Sequence, residues 1–188
     1  MNFACEFASQ GAALTLARSF QSLVPVLHTS DVTLRPITTG DFPVYADIVT
    51  TERGRYIGGP FNRADAWLDF IQMSSGWMLR GHGGWALASK EDNRTLGFVL
   101  LGMEPGDLEP ELGFFLAADA EGKGFAKQAS VAAMTFAFSS LGWTQLVSYI
   151  AQENERAIHL ATSLGGQPDP DLMDGDTVVF RYFAGGMS

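Results

Sequence analysis

From Asp31 onward, apolar and polar positions repeat with a regular period. Val32, Leu34 and Pro36 flank polar Thr33 and Arg35, which predicts a strand running into Thr39-Gly40-Asp41 and a helix from Phe42 to Val49. Asn62 can cap the next helix with Asp65 at its N3 position, since Trp67, Phe70, Ile71 and Met78 recur near helical spacing. Trp85 to Ala88, the turn Lys90-Glu91-Asp92-Asn93 and Thr95 to Leu101 read as a β-hairpin. Glu111 to Leu116 follows as a strand. Phe125 to Leu141 is a long helix with Phe125, Ala129, Ala132, Ala133 and Phe136 on one face and Gly142 as its stop. Gln145 to Ala151 predicts a strand, Asn154 to Leu164 a helix and Thr177 to Phe183 a last strand, so the chain is mixed α and β, with hairpins early and strand-helix alternation late.

The first thirty residues follow a different pattern. Phe7, Ala13, Leu14, Leu16, Ala17, Phe20 and Leu23 suit an amphipathic helix broken near Gly11 and ended by Pro25, an N-terminal helical extension (1–30) to a main domain (31–188). The plain reading of this arm is surface or dimer packing, and with an exposed edge strand it is compatible with a homodimer.

Composition narrows the function classes. The 188 residues are 46% apolar, enough for one domain with a sizeable core. Twelve Lys and Arg against 21 Asp and Glu give a formal charge of -9, which argues against general nucleic-acid or anionic-membrane binding and mildly favours cationic partners. One cysteine, Cys5, excludes an internal disulfide framework and a multi-thiolate zinc site, and the three histidines form no ligand pattern, so no metal is expected. No apolar run approaches the roughly 18 residues of a membrane span. The opening stretch carries Glu6 and has no basic residue before Arg18, unlike a secretory signal, so a cytoplasmic protein is expected.

Ala120-Glu121-Gly122-Lys123-Gly124-Phe125-Ala126 is the most informative stretch, lying between a strand and the start of the long helix. Its glycines permit a sharp turn and close approach of a ligand, and a helix N-terminus offers unpaired N–H groups and a positive dipole end to a phosphate or diphosphate. Lys123 and Lys127 add charge. A Gly-x-Gly turn before a helix is also an ordinary structural feature, and this one is neither a Walker A loop nor a dinucleotide fingerprint.

Glu111-Leu112-Gly113-Phe114-Phe115-Leu116, the Gly-Lys-Gly-Phe-Ala turn and the Ala-rich helix ending at Gly142 resemble the acetyl-CoA core of the GNAT acyltransferase family. Asn154-Glu155-Arg156-Ala157-Ile158-His159 through Leu164-Gly165 is similar to the family's next helix, and Val32 to Pro36 with Gly40-Asp41-Phe42 to its opening strand. The resemblance spans roughly residues 31 to 183 and leans toward the ribosomal-protein-alanine N-acetyltransferases. It implies a central mixed, largely antiparallel, splayed β-sheet of about six or seven strands flanked by helices. It also implies that the family's Gln/Arg-x-x-Gly-x-Gly/Ala pattern falls on Glu121 to Ala126. Backbone N–H groups of Gly122, Lys123, Gly124, Phe125 and Ala126 would then cradle the diphosphate of acetyl-CoA. Glu121 departs from the pattern and loses a favourable side chain. Phe114, Phe115 and Leu116 would pair through their backbone with the pantetheine arm, with Gly113 as a bulge.

Acetyl transfer to an amine needs a base, a polarised carbonyl and a tolerated leaving thiolate. By resemblance, Glu111 is the base, acting directly or through water, although a Glu following Pro110 is also an ordinary solvated residue. The polarising donor would be the N–H of Phe115 or Leu116. The tyrosine acid of many relatives is replaced by Ala161; Asn154 remains as a cofactor contact or a plain helix cap, and His159 is a substitute donor only if it points inward. A thiolate of pKa about 8 to 9 can leave without strong assistance. The acceptor pocket would involve Thr51 to Phe61, the helix after Asn62 and Gly81 to Gly84, with Arg53, Arg55, Tyr56, Phe61, Trp67 and Trp85 as candidate substrate contacts, the aromatics being also ordinary core residues and the arginines ordinary solvated loop charges. The expected function is acetyl-CoA-dependent N-acetylation of a small-molecule amine or a peptide N-terminus in a ternary complex. The alternatives are a catalytically weak acyl-CoA-binding or regulatory module and a structural protein with a degenerate phosphate turn.

Overall fold

The structure is a computed structural model that describes residues 2–173 and 175–186. In chain order it contains α1 (Gly11–Gln21), β1 (Leu27–His28), β2 (Val32–Pro36), α2 (Phe42–Val49), α3 (Arg63–Arg80), β3 (Gly84–Ser89), β4 (Thr95–Gly102), β5 (Glu111–Leu116), α4 (Phe125–Ser139), β6 (Gln145–Ala151), α5 (Glu155–Ser163), β7 (Gln167–Pro168) and β8 (Thr177–Phe183). The strands form one eight-stranded sheet in the order β1-β2-β3-β4-β5-β6-β8-β7. The sequence pattern undercounts it because β1 and β7 are two-residue edge strands, too short to carry a period. All neighbours pair antiparallel except β5 and β6, which run parallel and share a single register pair, Glu111 with Val147. Beyond that pair the strands part.

Two cores sit on opposite faces of the sheet. One, beneath α4 and α5, gathers Leu34, Trp85, Leu87, Leu112, Met134, Leu146 and Tyr182; the other, beneath α2 and α3, gathers Phe42, Tyr45, Phe70 and Phe98. Alternation along β5 therefore assigns Leu112, Phe114 and Leu116 to the first face and Phe115 to the second. The start of α2 is fixed by Asp41, which is 1% exposed and accepts from both Arg35 Nη atoms at 2.7 and 2.9 Å and from the Thr38 N–H at 2.8 Å.

Helix ends follow local chemistry. Asn62 Oδ1 accepts from the Ala64 and Asp65 N–H groups at the front of α3, and Gly81 ends that helix in the left-handed region at φ 74°. α4 stops at Ser139, slightly earlier than the apolar periodicity predicts, because the N–H groups of Ser140 and Leu141 both turn back onto the Phe136 carbonyl before Gly142 at φ 70°. α1 starts at Gly11, ends before Pro25 and buries none of its residues. Ahead of it, Glu6 is held by Arg63, Nε and Nη2 each at 2.7 Å. Among the described residues no helix is long and apolar enough to cross a membrane.

Candidate active site

The front of α4 is the first part of the site. Gly122 and Gly124 both lie in the left-handed region, at φ 73° and 78°, where a β-carbon would be strained. No side chain caps the helix, and its first engaged N–H is that of Gln128, on the Gly124 carbonyl at 3.1 Å. The N–H groups of Gly122 to Ala126 have no backbone partner among the described residues. A row of free donors at the positive end of a helix of this length fits the diphosphate of coenzyme A.

The parting of β5 and β6 is the second part. Val147 N–H donates to the Pro110 carbonyl at 3.0 Å, and Ala117 N–H donates to Leu96 of β4 at 2.9 Å. Between these fixed points the peptide groups alternate, so those of Leu112, Phe114 and Leu116 face the gap and that of Phe115 faces β4. The expectation that Phe115 pairs with a pantetheine arm, or polarises a carbonyl with its N–H, is therefore corrected: its peptide is spent on the ladder with Phe98, and its ring packs against Tyr45 and Phe98. Phe114 and Leu116 keep gap-facing N–H groups.

A cleft of about 540 Å³ runs through the gap, lined by Phe114, Ser148 and Asn154 toward α5 and, on the α2 and α3 face, by Tyr45, Tyr56, Asp69, Glu104, Glu111 and Tyr149. Glu111 stands where the gap meets this cavity. Burial, then the charges of Asp107 and Glu104, push its carboxyl up to about 7, against the backbone N–H of Tyr149, which lowers it. Burial raises Asp69 too, opposed by the hydroxyl of buried Tyr45, which donates to it. Burial and the neighbouring Asp69 and Asp107 raise Glu104. No salt bridge engages Asp69, Glu104 or Glu111 among the described residues. Arg80, at the rim, donates to the Met103 carbonyl. No three acidic, His or Cys side chains among those residues converge to hold a metal ion.

The expected acceptor contacts separate. Tyr56 lines the cavity, and its hydroxyl donates to the Glu153 carbonyl at 3.3 Å. Trp85 does not: it is fully buried on the opposite face, donates Nε1–H to the Pro25 carbonyl at 2.8 Å and packs edge-on against Trp77 and Phe136, so it is a core residue. Arg53 points instead toward the turn ahead of α4, donating to the Leu116 carbonyl at 3.1 Å and pairing with Glu121. Arg55 donates to the Tyr56 hydroxyl at 2.7 Å with its guanidinium over that ring, outside the cavity wall. The loop carrying these residues folds onto the end of α2 because glycines let it; β-carbons on Gly54 and Gly59 would lie 2.6 and 2.5 Å from the Val49 carbonyl oxygen.

Glu121 is bound by Arg53 and by Arg156 at 2.8 Å, and although burial opposes it, Arg156 and Arg53 hold its carboxyl below the usual range. Its negative charge is therefore neutralised in place, and two guanidinium groups are brought to the diphosphate turn. Lys123 lies within that turn. Asn154 caps α5, its Oδ1 accepting from the Ala157 N–H at 3.2 Å, and also lines the cleft. Ala161 is fully buried and His159 is exposed, so neither supplies an acid there. Sequence reading missed Tyr45, Asp69, Glu104 and Arg156. Tyr45 and Asp69 look like ordinary helix positions, and no spacing signals that α2 and α3 bring them together.

A family model for an acetyltransferase (GNAT) domain matches residues 31–167. The chain is 29% identical over 154 residues to the uncharacterized N-acetyltransferase p20 of Bacillus licheniformis, spanning 79% of this chain and 85% of that one. Among solved structures, an acetyltransferase of Agrobacterium tumefaciens superposes with a TM-score of 0.81 at 34% identity, over 86% of this chain and 95% of that one. A spermidine N-acetyltransferase of Vibrio cholerae, in complex with CoA and spermine, shares the fold with a TM-score of 0.68 at 20% identity, over 82% and 96%.

Proposed function

The chain belongs to the GNAT acetyltransferase family, and on that premise we propose that it moves the acetyl group of acetyl-CoA directly onto a primary amine that is positively charged in solution, a small di- or polyamine above all. The observation that carries this reading is the position of Glu111, where the gap running from the free N–H groups of α4 opens into a cavity walled by carboxylates that no salt bridge engages among the described residues.

Gly122 to Ala126 bind the diphosphate through their N–H groups, and the N–H groups of Phe114 and Leu116 hold the pantetheine arm and polarise the thioester carbonyl. Acetyl-CoA supplies the activated acyl group. Asp69 and Glu104 attract the ammonium form of the acceptor and hold a second positive charge away from the reacting nitrogen. Glu111, with a carboxyl brought near neutrality, accepts the proton that the ammonium must lose before its lone pair can attack. Tyr45 keeps Asp69 oriented from behind. A cytoplasmic location accords with the chemistry of this donor. The peptide N-terminus suggested by the ribosomal-protein resemblance is the competing acceptor and lacks the second charge.

Thiol release from acetyl-CoA across a panel of monoamines, diamines, polyamines and short peptides tests the proposal. Diamines and polyamines should give the highest kcat/KM. Turnover confined to peptide N-termini would overturn the acceptor class, and tight CoA binding without turnover on any amine would select the non-catalytic alternative.

A further inference from the structure

Two buried hydroxyls stand where β5 and β6 separate, and the acetyl-transfer scheme above leaves both unused. At the first position past the shared register pair, the Leu112 carbonyl receives a side chain, Ser148 Oγ, at 2.6 Å. Ser148 is 2% exposed and lies on the wall of the cleft. Its oxygen lies 3.3 Å from the hydroxyl of Tyr182, a β8 residue that is 1% exposed with its ring in the apolar core beneath α4 and α5. Burying a hydroxyl pair in such a core is costly, and an apolar pair would pack there without that cost. Sheet alternation places Ser148 with Leu146 and Ile150 on this face, whereas Glu111 serves the cavity on the other. Glu111 and Ser148 therefore flank the gap from opposite faces of the sheet, so a base for the amine and a hydrogen-bond donor for the leaving sulfur can serve one thioester without competing for the same place.

We propose that Ser148 is a catalytic residue that donates a hydrogen bond from Oγ to the sulfur of the departing coenzyme A, and that Tyr182 is a positioning residue that donates to Ser148 Oγ and keeps it aimed; this rests on the acetyl-transfer reading. Glu111 takes a proton from the amine, the new N–C bond forms, and the C–S bond breaks with its electron pair left on sulfur. Ser148 turns its hydrogen from the Leu112 carbonyl to that sulfur without losing it. Glu111 holds the proton that the ammonium sheds before attack, and the second proton, released by the nitrogen as the amide forms, passes to the departing sulfur, so no further reactant is required. Burial pushes the Tyr182 hydroxyl up to about 12, so it remains a donor throughout the working pH range. The pair fills the role left open by buried Ala161 and exposed His159.

The test uses the full-length chain saturated with coenzyme A, whose bound thiol is titrated by the ultraviolet absorbance of its thiolate. A hydrogen bond to the thiolate lowers the bound thiol's pKa, and Ser148→Ala should raise it by about one unit. The same variant should lower kcat by about 10- to 100-fold with KM for acetyl-CoA within about twofold. Ser148→Thr, which keeps the hydroxyl, should restore both. Tyr182→Phe, which keeps the ring in the core, should give a smaller shift in the same direction, and it carries the test if Ser148→Ala does not fold. A bound thiol that titrates alike in wild type and in these variants overturns the proposal. Failure of the wild type to bind coenzyme A overturns the acetyl-transfer reading itself.

Discussion

The donor end and the acceptor end of the cleft are built from different materials. At the proposed donor end the groups on offer are peptide N–H groups at the front of α4 and along the gap side of β5, put there by glycine torsions and by the parting of two strands. At the acceptor end they are carboxylates and a tyrosine hydroxyl from α2, α3, β5 and the segment before β5, gathered by packing around a cavity. Backbone recognition depends on the local conformation of a few consecutive residues and tolerates a substitution such as Glu121, which Arg53 and Arg156 neutralise. Side-chain recognition depends on distant residues and can change completely on the same scaffold.

This contrast can be broken at either end. The largest effect is expected for Glu111→Gln, which should lower kcat by about 10²- to 10³-fold while leaving coenzyme binding nearly unchanged by calorimetry. In the wild type kcat should rise with pH through an apparent pKa of about 7, and the variant should lose that limb. Stability should move the other way. Because the Glu111 carboxyl is raised from 4.5 to about 7 on folding, the folded protein holds the extra proton between those values and loses stability as pH rises across them. Denaturant midpoints at pH 8 should therefore be higher in Glu111→Gln than in wild type, and a lower midpoint would contradict the burial assigned to this group.

Gly124→Val, which forces a β-branched residue to φ 78°, should weaken coenzyme A binding by about 10²-fold with little change in acceptor preference once acetyl-CoA is saturating. An unchanged Kd would remove the front of α4 from the site. Asp69→Asn should raise KM for a diamine about tenfold and for a monoamine about twofold at most, since only the diamine has a second charge to place. Equal effects on the two would show that Asp69 senses the reacting nitrogen instead. Trp85→Phe should have the smallest effect on activity, lowering thermal stability by about 1–3 kcal/mol with KM for the amine unchanged. A raised amine KM would return Trp85 to the acceptor site.

Most of the architecture is legible in the residue pattern because the long elements carry local signals: alternation in β2, apolar runs of strand length bounded by turns in β4 and β8, and an apolar face on α4 closed by Gly142. The diphosphate turn is legible for the same reason, as left-handed glycines followed by an uncapped helix are local facts. The side-chain contacts were harder. Trp85 has the residue type of a binding aromatic, yet its hairpin turns it toward α4; Arg53 takes its direction from Glu121, distant in the chain, and Arg55 turns onto the hydroxyl of its neighbour Tyr56.

Sequence by itself determined the order of strands and helices, the glycine turn ahead of α4 and the negative charge of the chain, all of which depend on neighbours within a few positions or on simple summation. Only the tertiary structure decided that β5 and β6 separate after a single shared pair, that Glu111 and Ser148 take opposite faces of the sheet beside the opening, and that Asp69 and Glu104 line one wall. Those relations join residues far apart in the chain, and they arise from how two cores pack against opposite faces of a twisted sheet, which no local period encodes.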